Sequence, residues 1–168
     1  GHQRRDGYWQ HGSVCEDYSQ IEAAVYAVGG WADGYSNAIP RLVAGLPGPR
    51  KGLIGPWSHA FPQDGRPGPS IGFLQECLRW WDQWLKGIDT GITDEPVLRA
   101  WVQDALPPAD YYAERPGRWV TEAQWPSQSI EVRTDITPDA HVFGQQVVAT
   151  VEALVDTTEI DPGSVRVL

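Results

Sequence analysis

Apolar residues in this chain fall into two patterns, short unbroken runs and one long helical stripe. The runs Ala23–Val28, closed by Gly29-Gly30, and Lys51–Gly55 have the length and continuity of strands buried on both faces of a parallel sheet. Between them, Ser36 or Asn37 is placed to cap a helix that has Pro40 in its first turn, continues through Arg41–Leu46 and stops at Pro47-Gly48-Pro49. Strand, helix and strand follow one another within about 35 residues, the spacing of a right-handed βαβ unit. The stripe comes next. Ile71, Leu74, Leu78, Trp81 and Leu85 recur at helical spacing, widened by Phe73, Cys77 and Trp84, with Ser70 as the expected cap and Gly87 as the stop. Such a face predicts a helix packed over a sheet.

The rest of the chain is organised differently. Residues 1–22 are polar and irregular, an approach to the first strand, and residues 61–69 form a Gly/Pro-rich loop. From Pro96 the pattern turns to β: Val97–Val102 reads as a strand, residues 107–116 as a Pro-rich loop, and Arg118-Trp119-Val120 as another strand. A boundary is therefore expected near 88–95, with residues 1–92 as one unit and 93–168 as a second. Gln146–Asp156 alternates like a half-exposed strand, and Val165–Leu168 reads as the start of a further one.

Composition narrows the function classes. The chain has 168 residues, 41% of them hydrophobic and nine of them Trp, enough apolar surface to fold. A net charge of −9 disfavours nucleic acid and anionic lipid as partners and leaves a small-molecule substrate. No apolar run has the length of a membrane span. Cys15 and Cys77 are too few for a disulfide framework and lack metal-ligand spacing, so both are expected to be reduced, Cys77 in the core. A cytoplasmic location fits, and neither a metal nor another cofactor is expected.

The chemistry resides in two motifs at the ends of the two strands. Gly29-Gly30-Trp31-Ala32-Asp33-Gly34-Tyr35 offers a carboxylate, and Gly55-Pro56-Trp57-Ser58-His59 an imidazole. An acid after one strand and a histidine after the next is the chain order in which α/β-hydrolases deliver two members of a Ser-Asp-His triad. Imidazole titrates near neutrality and serves as a general base, and a carboxylate on its Nδ1 fixes the tautomer. The alternative is structural: Asp33 capping the helix near Ser36, and His59 satisfied by loop backbone. No serine before Asp33 sits in a G-x-S-x-G frame, and Ser13, in His11-Gly12-Ser13-Val14, reads as a loop serine. Neither cysteine has a charge environment expected to lower its pKa. The tryptophans of the helix stripe, and Trp101, Trp119 and Trp125, read as packing residues rather than as a sugar platform.

At GGWADGYSNAIPRL, GLIGPWSH and FLQECLRWWDQWLKG the chain resembles the cocaine-esterase and Xaa-Pro dipeptidyl peptidase group of serine hydrolases, the CocE/NonD family. The resemblance runs from about Asp6 to Ser127. It implies an α/β fold: the C-terminal part of an α/β-hydrolase domain, a βαβ unit plus helix, followed by the start of a jelly-roll β-sandwich whose identity beyond residue 128 is open. It further implies Asp33 as triad acid, His59 as triad base, and Tyr35, where esterase relatives place a ring against the acyl group, as a substrate-pocket position; a packing or surface tyrosine is the alternative. Amino-acid ester hydrolases of the group carry Glu-Asp two and three residues after the acid, where this chain has Tyr35-Ser36, which tilts the expectation to a neutral ester or amide. The nucleophilic serine and oxyanion donors are expected in a missing N-terminal part, so that this chain alone would be inactive. The rival readings are a non-catalytic β-sandwich that binds sugar or protein, and a degenerate hydrolase without a nucleophile.

Overall fold

The structure, a computed structural model, describes residues 1–127, 130–134 and 151–155. A short helix α1 (Gly7–His11) and two single 3-10 turns lead into β1 (Val25–Gly30), α2 (Ala38–Gly45) and β2 (Arg50–Gly55). β1 and β2 pair in parallel, Val25 opposite Arg50 through Gly30 opposite Gly55, so both strands end level with one another. Helix α3 spans Phe73–Lys86, and β3 (Leu98–Gln103) and β4 (Gly117–Glu122) complete a four-stranded sheet in the order β1-β2-β3-β4.

β3 pairs in parallel with β2, and β4 pairs antiparallel with β3. This alters the expected division at residue 92: the strands foreseen as the opening of a sandwich continue the sheet of β1 and β2. β5 (Ile130–Thr134) and β6 (Val151–Val155) form a separate antiparallel pair. The predicted strand Gln146–Asp156 is described only over β6, and Val165–Leu168 lies outside the described residues.

The two faces of the sheet are unlike. Toward α2 the contact is apolar: Ala27, Ile54 and Leu98 of the strands close on Ile39 and Val43 of the helix. Gly52 makes this approach possible, since a Cβ there would stand 2.7 Å from both Val43 and Leu98 side-chain carbons. Toward α3 the contact is largely ionic. Lys51, only 4% exposed, bonds Glu95, whose other oxygen takes Arg79 at 2.5 Å. Tyr26 Oη donates to Glu76 at 3.4 Å, and Arg99 reaches the same carboxylate at 3.2 Å.

That network decides how α3 sits. Its sheet-facing residues are Glu76, Arg79 and the buried Trp80, which packs on Tyr26 with ring centroids 5.2 Å apart. Part of the predicted stripe is turned the other way: Leu74, Leu78, Trp81 and Leu85 are 51–74% exposed, whereas Ile71, Phe73, Trp84 and Cys77, the last expected in the core, are half-buried. A buried Lys51 or a half-buried Arg99 without a carboxylate costs more than an exposed leucine, so α3 presents Glu76 to Arg99 and Arg79 to the Glu95 that Lys51 holds. The N-caps also differ from expectation. Asn37 is already in a helical backbone conformation and makes no cap bond; the Ala38 N–H is taken by Tyr35 O. Ser70 lies two residues before the Gly72 cap position and donates instead to Gly65 O. Gly87 stops α3 in the left-handed conformation, φ 66°.

Candidate active site

Each motif continues its strand before turning. Trp31 N–H donates to Gly55 O (2.9 Å) and Ala32 N–H to Trp57 O (3.0 Å), extending the β1–β2 pairing past both strand ends. Asp33 N–H then returns to Gly30 O, closing the turn that carries the carboxylate. Gly30 is required there, because a Cβ would lie 2.0 Å from Trp57 O.

Trp57 anchors the second motif. Fully buried, it lies against Gly55 and Gly65, donates from its indole to Pro69 O (2.8 Å) and meets the Trp119 ring with centroids 6.2 Å apart. Ser58 N–H bonds Arg66 O at 2.7 Å. Gly68 in turn is bridged to the loop before β4 by bonds to Ala113 O and from the Arg115 N–H. His59 therefore projects from a loop tied down on both sides.

The result is a bonded pair at the C-terminal edge of the parallel strands, where open α/β sheets form their sites. His59 Nδ1 lies 2.8 Å from Asp33 Oδ2, and Asp33 Oδ1 accepts the Tyr35 N–H at 2.9 Å. An ionised carboxylate can only accept, so Nδ1 carries the proton and Nε2 is left with a lone pair. Exposure is asymmetric: the Asp33 side chain is 13% exposed and that of His59 84%. The Tyr35 N–H, together with His59, holds the Asp33 carboxyl below its ordinary range against a partial desolvation. Tyr35 stands beside the imidazole with centroids 6.4 Å apart, edge-on, its own ring largely exposed.

A scan against family models matches residues 1–61 to the X-Pro dipeptidyl-peptidase (S15) family, a stretch that ends just past His59. Proteins assigned as serine esterases in Mycobacterium bovis and Mycobacterium tuberculosis are each 31% identical over 147 residues, covering 79% of this chain. These similarities agree with the resemblance to the CocE/NonD group carried by the motifs. The chain spans about 20% of the length of those mycobacterial relatives. A crystal structure of a CocE/NonD family hydrolase from Staphylococcus aureus shares the fold, with a TM-score of 0.53 at 15% identity over 76% of this chain and 21% of that one.

Other residues of the chain fall elsewhere. Ser13 Oγ accepts the Cys15 N–H and donates to Cys15 Sγ, so it serves a local turn. Cys15 differs from the expectation: Ser13 and the Arg5 guanidinium, 2.9 Å from Sγ, lower its pKa. Burial and Glu76 raise that of Cys77. Trp101 is buried edge-on to Trp119, and Trp125 packs on the α2-side core. Trp81, by contrast, is exposed. The supports of the pair, Trp57 and the loop before β4, escape sequence reasoning. A tryptophan inside the second motif was the available signal for the first; nothing local announces the second.

Proposed function

We propose that Asp33 and His59 are the acid and base of a Ser-Asp-His hydrolase acting on an ester or amide, with the serine supplied by a part of the protein outside these residues. The observation that carries this reading is the Nδ1 contact of 2.8 Å, with the second carboxylate oxygen fixed by backbone. In this arrangement His59 Nε2 takes the proton of the serine hydroxyl as its oxygen attacks the acyl carbon, and Asp33 stabilises the imidazolium that forms. The same proton passes to the leaving oxygen or nitrogen as the acyl-enzyme is made, and water repeats the sequence in reverse roles. Tyr35, beside the imidazole, would border the acyl group. The β-sandwich of this proposal starts after β4, since β3 and β4 belong to the hydrolase sheet. Among the described residues no helix is long and apolar enough to cross a membrane, and a cytoplasmic enzyme is part of the same reading.

The test is hydrolysis of p-nitrophenyl acetate by the full-length protein, by its His59→Ala variant and by residues 1–168 alone. Turnover by the first only is expected. Turnover by residues 1–168 that His59→Ala abolishes would place the nucleophile within this chain. Undiminished turnover by the full-length His59→Ala protein would refute the assignment of His59, and no turnover by the unmutated full-length protein would return the non-catalytic readings.

A further inference from the structure

A cavity of about 390 Å³ lies at the two motifs, with Ala32 and Ser58, the residues just before Asp33 and His59, in its wall. Arg66 enters it from the loop after His59, Tyr111, Tyr112 and Arg115 from the loop before β4, and Trp31, Pro56 and Gln103 from the ends of the strands. Two cations in one small cavity stand out in a chain with 22 acidic and 13 basic residues. Elsewhere Arg5, Arg79 and Arg99 each take a carboxylate. Among the described residues, Arg66 and Arg115 take none.

Arg115 is also held in place. Its Nε donates to Gln103 Oε1 at 2.9 Å, its guanidinium lies over the Tyr112 ring at 4.5 Å, and its carbonyl accepts the Trp101 indole N–H at 3.0 Å. The bond to Gln103 uses one edge of the guanidinium and leaves its terminal nitrogens for a ligand. A fixed planar fork of this kind suits a carboxylate, and rings beside it suit a flat apolar body. Asp110 lines the same cavity and sets its formal balance at one net positive charge when taken with the two arginines. The −9 of the whole chain opposes an anion only weakly, being screened beyond about 8 Å at physiological salt, whereas both guanidiniums are local.

The geometry points to a substrate that carries an aromatic carboxylate, held in this cavity by Arg66 and Arg115 while its ester or amide bond faces His59. This rests on the hydrolase reading above and replaces the expectation of a neutral substrate. Arg66 and Arg115 are then specificity residues, and Asp110 opposes them.

Calorimetric titration of the full-length protein with benzoate and with benzamide tests this, and it reads binding whether or not an ester is turned over. Benzoate is expected to bind at least tenfold more tightly than benzamide. Arg66→Gln, on an exposed side chain with no hydrogen bond of its own among the described residues, should weaken benzoate at least threefold. The double variant with Arg115→Gln should weaken it at least tenfold, and Asp110→Asn should strengthen it. No benzoate binding, equal binding of the two compounds, or unchanged benzoate affinity in Arg66→Gln would overturn the proposal. Loss of the hydrolase reading is seen separately, as p-nitrophenyl acetate turnover that survives His59→Ala.

Discussion

Asp33 does two jobs with two oxygens, and they can be separated. On the proposed triad role, Asp33→Asn keeps the shape but removes the charge that would support an imidazolium, and a loss of about 10⁴ in kcat is expected of the full-length protein. A loss below tenfold would mean that Asp33 only shapes its turn. Its carboxyl is held below the ordinary value of 3.8 by the Tyr35 N–H and by His59. A depressed folded-state pKa stabilises the protein above the unfolded-state value, and that contribution disappears as pH falls through the folded one. Carbon NMR should therefore find an Asp33 midpoint under 3.8, rising in His59→Ala yet not fully, because the Tyr35 bond survives. The glycines of the motif offer a sharper contrast. Gly30→Ala drives a methyl into the Trp57 carbonyl, whereas a Cβ on Gly34 meets nothing within 4 Å. The first should cost over 100-fold in activity and about 2 kcal/mol or more in stability; the second should change neither beyond twofold or about 0.5 kcal/mol.

Between elements, the decisive contact is the ionic layer under α3. Burial pushes the Glu95 carboxyl up, but bonds from Lys51 and Arg79 more than offset it and hold it low. Burial, with Glu76 beside it, raises the Tyr26 phenol. Glu95→Ala strands Lys51 in the interior, and urea unfolding should show a loss of about 3 kcal/mol. The exposed Arg5–Glu16 pair is a control: Arg5→Ala should cost only a small fraction of that loss. Equal losses would mean that the layer under α3 contributes no more than surface charge.

Across the molecule, the outer face of α3 is a contiguous apolar strip of Leu74, Leu78, Trp81, Leu85 and, just past the helix, Ile88. Soluble surfaces rarely leave such strips uncovered. Residues 1–168 by themselves should bind ANS and self-associate, and Leu78→Glu with Leu85→Glu should reduce both. A monodisperse chain without ANS fluorescence would show that the strip is harmless as it stands.

Much of this was written locally. Continuous apolar runs ending in glycine made β1 and β2 readable, Gly87 marked the end of α3, and the order of acid and histidine after consecutive strands singled out Asp33 and His59, because each signal depends on residues a few positions apart. What depended on partners far along the chain was decided only by the tertiary structure. The stripe on α3 suggested the buried face, but Arg99 on β3 takes Glu76, and Glu95, held by Lys51 of β2, takes Arg79. β3 looked like the opening of another domain, yet its edge pairs with β2, and strand pairing across more than 40 residues leaves no local mark. The 2.8 Å contact between Asp33 and His59 also required level strand ends, a glycine that admits the Trp57 carbonyl, and a buried indole holding the second loop. Those are matters of register and volume, which composition and spacing do not encode.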